Sequence, residues 1–464
     1  MSIRNLLFAV LVFLVSPLTL AAQQTNEEDP FKRDPIFTRP LEDFFGVERE
    51  SSEADTLDAG GAAEKTTRAV KRLSLRGFDL GGNLEAGPYY SNALYSQYPN
   101  LSMLHFNRVN GLFIGLRKER MQWHRYDSFF NIPQIQPHGF IGIGTASKEW
   151  EYALGVEKLI GEEKHFMVGG EVYNATGTED FLRTGLIENS LTAFFAGYDF
   201  MDYHNMDGFG LYSVFRTDRW FEAAFSYNRD TFTSLEQNTA YTLFGRSGTY
   251  KPNLPIDAFS DEIDLDRYSF SLAFNPRNLL LSNYLTVSAL FKAELADNAA
   301  SDASYRYNKY ETTLRFYYNF EPGSVLRWRV QAGGITGNAP DFKNFFLGGI
   351  GILRGTPYKF FTGNQMLASN LEVKFGQPSS RTGEWMRDYN IHFLLFLDSG
   401  WVREIPDLFD SSGAFSGFDE FSIADMQHDA GAGIGSGAFR VEVAWPLKTF
   451  DKSPALWIRF NPTF

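Results

Sequence analysis

The sequence predicts an all-β protein: a transmembrane antiparallel β-barrel of about sixteen strands, with one long connection folded into its interior. Three observations predict it. From about residue 104 onward, apolar and polar residues alternate with period two in segments of about ten residues, the length a tilted strand needs to cross a bilayer. Beyond the first twenty residues, no stretch approaches the roughly eighteen unbroken apolar residues of a spanning helix, so any further crossing must use strands whose backbone groups are all paired. The chain also ends in an alternating strand whose last residue is Phe464.

The N-terminus reads as an export signal over residues 1–22. Arg4 supplies the positive charge, an apolar run follows from Leu6 to Val15, and the small residues Ala21 and Ala22 offer a cleavage point. Residues 23–72 read as an acidic, disordered periplasmic tail, with no apolar period able to build a core. Within 23–64, twelve Asp or Glu stand against four Lys or Arg, with Pro30, Pro35 and Pro40 interspersed. Residues 73–103 read as a linker or plug element, and 104–464 as the barrel.

Within the barrel, a pleated strand sends successive side chains to opposite faces. Leu285, Val287, Ala289 and Phe291 share one face against Thr286, Ser288 and Lys292. Leu326, Trp328, Val330 and Ala332 oppose Arg327, Arg329 and Gln331, and Leu371, Val373 and Phe375 oppose Asn370, Glu372 and Lys374. Phe439, Val441, Val443 and Trp445 oppose Arg440 and Glu442. A soluble sandwich alternates too, but it does not repeatedly place charge on the polar face of long, aromatic-ended segments as a wet-lumen barrel does.

The segments are 104–120, 137–147, 149–159, 164–174, 190–201, 207–216, 219–232 and 262–275, followed by 282–295, 307–320, 323–333, 365–376, 388–399, 427–436, 438–447 and 454–464. They number sixteen, even as bacterial outer-membrane barrels require. Between the eleventh and twelfth lies an interval from about Gly333 to Asn364, too long for a plain hairpin and therefore expected to fold back.

That interval contains Phe345-Phe346-Leu347-Gly348-Gly349-Ile350-Gly351-Ile352-Leu353-Arg354-Gly355, and the following strand carries Phe396-Leu397-Asp398-Ser399-Gly400. The first resembles the "GG…(V/L)RG" loop motif and the second the F-x-D-x-G strand motif of the Omp85 superfamily, the bacterial surface-antigen barrels of outer membranes. The resemblance implies a lumen-entering loop, with Arg354 on the loop pairing to Asp398 on the wall. Gly349 and Gly355 would shape the tip, Phe396 would pack beside the guanidinium, and Gly400 completes the strand motif. Arg suits this role because its planar fork meets a carboxylate with two hydrogen bonds. Thr356 stands where relatives usually carry an aromatic, with Tyr358 the expected substitute. The final strand, with Ile458, Phe460 and Phe464 on one face, resembles the signal read by outer-membrane assembly machinery.

The family usually carries POTRA domains ahead of the barrel, and an acidic, unpatterned tail stands in their place here. The function implied is protein or lipid insertion or translocation at the outer membrane. The expected partners are outer-membrane lipids, the assembly machinery and a periplasmic or surface protein. A passive pore or structural barrel is the alternative.

Other chemistry is poorly represented. Cys 0 removes disulfides and thiol chemistry, and the net charge of -13 disfavours nucleic acid. The seven His lack ligand spacing, so no metal or other cofactor is expected; His428-Asp429 reads as a strand-edge hydrogen bond and the Asp257, Asp261, Asp264, Asp266 group as a solvated loop. No nucleophile elbow, Walker loop or dinucleotide fingerprint occurs, and the chain is not expected to be an enzyme.

Overall fold

The computed structural model describes residues 78–79 and, with gaps at several connections, 103–460. The expectations for residues 1–22 and 23–72, and for Phe464, lie outside the described residues. The strands are β1 (Phe78–Asp79), β2 (Leu104–Asn107), β3 (Gly111–Lys118), β4 (Ile135–Gly144), β5 (Trp150–Ile160) and β6 (Phe166–Gly177). A helix, α1 (Leu186–Ala196), precedes β7 (His204–Thr217), β8 (Phe221–Ser234), β9 (Glu262–Phe274), β10 (Leu285–Asp297), β11 (Arg306–Glu321) and β12 (Ser324–Asn338). A short ribbon, β13 (Phe345–Leu347) and β14 (Phe361–Gly363), then leads to β15 (Gln365–Phe375), β16 (Ile391–Arg403), β17 (Gln427–Ser436), β18 (Phe439–Pro446) and β19 (Ala455–Phe460).

Each strand from β2 to β12 pairs antiparallel with the next, β12 pairs with β15, and the meander continues to β19. That makes sixteen strands, with β1 added beside the end of β3. Among the described residues, no pairing register joins β2 to β19. The long connections gather at one end of the sheet, including 178–203, 235–261, 339–364 and 404–426.

The two faces of the sheet invert the distribution of a water-soluble protein. Along β16, Leu395 and Leu397 are 53% and 40% exposed, whereas Phe396 and Asp398 are 5% and 0%. Leu154, Leu211, Phe225, Leu272 and Trp328 likewise face outward, while Glu157, Glu222, Arg267, Arg329 and Glu372 are buried on the inner face. Soluble proteins rarely bury such charges and expose such side chains together; an apolar solvent outside and a paired, hydrogen-bonded interior reconcile both. No helix is long and apolar enough to cross a membrane among the described residues. At the long-loop end, the interior is filled by an apolar cluster that draws on β3 to β12 and β15, with Phe113, Tyr173, Phe232 and Ile335 joining Phe345, Leu347, Ile352 and Leu353 of the inserted loop.

Two sequence expectations are corrected, and the errors cancel in the count. The segment 104–120 is not one strand but the hairpin β2–β3. Asn107 Oδ1 accepts the N–H groups of Val109 and Asn110, and Gly111 takes φ +67, so the chain turns over residues 108–110 and re-enters the sheet at Gly111, opposite Asn107. The segment 190–201 is not a strand: α1 occupies most of it. Leu191, Ala193 and Phe195 happen to alternate, but the buried positions Asn189 and Ala193 lie one helical turn apart, and Gly197 ends the helix at φ +76. The inserted loop nonetheless lies between the eleventh and twelfth strands of the sheet, β12 and β15.

Candidate functional site

The connection from β12 to β15 enters the interior as the ribbon β13–β14, Phe345 opposite Gly363 and Leu347 opposite Phe361. Its tip closes on itself. Gly349, at φ +93, donates its N–H to the carbonyls of Leu353 and Thr356, both at 3.0 Å, and Thr356 donates to Leu353 O at 3.2 Å. This coil turns Arg354 toward the wall.

Alternation along β16 aims Asp398 inward, and the structure brings it to Arg354. The guanidinium makes a two-pronged contact, Nε to Oδ2 at 2.7 Å and Nη2 to Oδ1 at 2.8 Å, while the Arg354 backbone N–H also reaches Oδ2 at 3.3 Å. Phe396, two residues before Asp398, lies under the guanidinium with its ring centroid 3.5 Å from Cζ. Space for that ring comes from Gly431, its partner across β17: a Cβ there would sit 2.3 Å from Phe396 Cζ. Gly400 likewise leaves room for the loop, since a Cβ would lie 2.8 Å from Leu347 Cδ1.

Arg354 also meets residues that sequence reasoning did not select. Nη1 donates to Glu372 Oε1 at 2.7 Å and to Glu442 Oε2 at 3.2 Å. Glu372 is bonded in addition by Arg327 and approached by Arg440 at 3.5 Å, and Arg440 pairs with Glu442. The tip backbone is held as thoroughly. Arg459 Nη1 donates to Ile350 O at 2.9 Å, Arg329 Nη2 to Gly351 O at 2.6 Å, Asn370 Nδ2 to Ile352 O at 2.8 Å and Trp457 Nε1 to Arg354 O at 2.7 Å. Asp429 accepts from Gly355 N at 2.7 Å and from Thr356 Oγ1. Six consecutive strands, β12 and β15 to β19, therefore contribute a side chain to one tip. Alternation alone already puts Asn370, Glu372, Glu442, Trp457 and Arg459 on inner faces; what a single sequence lacks is the information that they converge.

The remaining expected residues are placed as follows. Tyr358 does not pack at the guanidinium. Its hydroxyl donates to Phe200 O and its ring carries Lys251 Nζ at 4.1 Å, while Thr356 faces Asp429. His428 Nδ1 lies 2.8 Å from Ser399 Oγ. Ile458 faces outward, 66% exposed, and Phe460 packs edge-on against Phe439 at 4.9 Å. Among the described residues, no group of His, Asp or Glu is arranged to hold a metal ion.

Loop contacts continue toward the rim. Lys343 Nζ reaches Glu179 at 2.6 Å and Glu294 at 3.1 Å, and Lys359 Nζ reaches Asp180 at 2.8 Å and Asp202 at 2.5 Å. Burial alone would raise the Asp202 carboxyl, but Lys359, Lys251 and Arg108 outweigh it and hold it well below the usual carboxylate range. Burial brings Lys251 down to about 8, with Asp202 opposing only in part.

Gly355 gives a direct test of the tip's seating. A Cβ there would lie 2.7 Å from Pro446 N and from Trp445 C, both backbone atoms that cannot swing aside. Gly355→Ala should lift the tip, and tryptic cleavage after Lys359 should accelerate roughly tenfold, the factor that ~1.4 kcal/mol of lost anchoring gives. Unchanged cleavage in a folded barrel would show that the tip is not seated as described.

No family model matches the chain, and no curated protein matches it in sequence. Comparison with solved structures finds BamA from Haemophilus ducreyi lacking POTRA domains 1-3, at 14% identity and TM-score 0.46, covering 77% of this chain and 68% of that one. It also finds CdiB from Acinetobacter baumannii, at 11% identity and TM-score 0.38, and CdiB from Escherichia coli, at 12% and 0.40. These cover 72% and 76% of this chain, which spans 52% and 59% of theirs.

Proposed function

We propose that this chain is an Omp85-type barrel of the Gram-negative outer membrane that inserts or translocates a protein or lipid client, with its interior stoppered at rest by the loop carrying Arg354. The observation that carries this reading is the clamp itself: a loop tip held by side chains of six strands, with the two residues that the sequence motifs single out, Arg354 and Asp398, bonded to each other within it. A permanently open pore has no use for a clamped, lumen-filling loop. A transport barrel does, because the same contacts close the passage and can be exchanged when a client enters. The edges of β2 and β19, the first and last strands of the meander, are the place where a client strand would add. The outer apolar band would face lipid.

Planar-bilayer recording with envelope cross-linking tests the reading. Wild-type protein should give small, flickering conductance, and photo-cross-linkers at Leu104 or Ile458, both outward-facing, should capture a discrete protein partner or lipid-linked client. A large steady current from the wild type, with no captured partner, would support the passive-pore alternative and remove the client reading.

A further inference from the structure

We propose that α1 is a wedge set through the barrel wall between β2 and β19, a releasable closure of the seam that is mechanically tied to the loop tip. Side chains of the helix serve groups on both strands. Ser190 Oγ accepts the backbone N–H of Phe106 at 2.7 Å, and Glu188 Oε1 accepts the backbone N–H of Phe460 at 3.0 Å. These are ladder donors of the first and last strands of the meander, each satisfied by the helix.

The helix also passes from one face of the sheet to the other. Arg459, on the inner face of β19, meets Glu188 with Nε to Oε1 at 2.7 Å and Nη2 to Oε2 at 3.0 Å. Further along the helix, Phe194 packs edge-on against Phe106 at 5.4 Å, and Ala193 and Leu112 belong to the same cluster. Phe106 and Leu112 are register partners, two residues from the outward-facing pair Leu104 and Ile114, so this contact lies on the outer face. The wedge is braced from behind: Asn189 bonds Asp199, which accepts the N–H of Arg108, the residue following β2. Arg459 binds Glu188 and the loop-tip carbonyl of Ile350 with the same guanidinium, so wedge and stopper share one residue.

The inference rests on the reading of β2 and β19 as a working seam, but its test needs no client. The chain has no native cysteine, so Leu104→Cys and Ile458→Cys can carry spin labels on exposed, outward positions either side of the seam. Pulsed-EPR distances in detergent or nanodiscs should show one narrow population. Ser190→Ala, and separately Glu188→Gln, should add a population longer by at least one strand spacing, ~5 Å. Heat-modifiable migration confirms an intact barrel in each variant, and two independent substitutions keep the test open if one misfolds. An unchanged narrow distribution in a folded variant of either kind overturns the wedge. Opening without any client captured at the seam would leave the wedge standing and sink the transport reading.

Discussion

Arg354→Asp should expel the loop tip, with rapid proteolysis at the tip and a large, steady conductance. The substitution removes a buried cation that neutralises Asp398, Glu372 and Glu442, and puts a fourth carboxylate among them. Breaking one partner of a buried pair typically costs about 3–5 kcal/mol, and like-charge repulsion adds to it. Adding Asp398→Arg restores one attractive pair, so the double variant should regain protection. Recovery should be partial, because Asp at 354 still faces Glu372 and Glu442 and loses the Phe396 ring as a cation partner. Cleavage of the double variant as fast as the single would show that charge pairing does not hold the tip.

Glu372→Gln should destabilise the barrel by a comparable amount, about 3–5 kcal/mol, read as a lower temperature for loss of heat-modifiable migration. Its carboxylate takes contacts from Arg327, Arg354 and Arg440 together. Removing its charge leaves three guanidiniums close to one another in a confined space where screening by salt is weak. Combining Glu372→Gln with Arg327→Gln should cost less than the sum of the two, since the second change relieves the repulsion the first creates. Strict additivity would mean that the cluster does not act as a unit.

Strand alternation made the sheet legible because one rule governs nearly every element: outward side chains meet an apolar medium and inward ones meet charge. The same rule places Asp398 inward and Leu397 outward. It failed where a second period fits the same letters. Leu191, Ala193 and Phe195 alternate, but the local cue was Gly197, which supplies the left-handed residue that ends a helix. It also failed at Asn110-Gly111, a turn cue inside an otherwise continuous stretch. At the site, the motif residues Arg354 and Asp398 were legible, whereas Glu188 was not. It sits 271 residues from Arg459, and only the curvature of the sheet brings them together.

The brevity of β2 has a mechanical consequence. Where β11 and β12 share fifteen register partners, a ladder along the four residues of β2 could never hold more than a few hydrogen bonds. At about 0.5–1.5 kcal/mol net for each bond, parting the sheet along β2 should take little work compared with tearing any full-length hairpin. Force or a competing strand applied to the wall should therefore part it at β2 first.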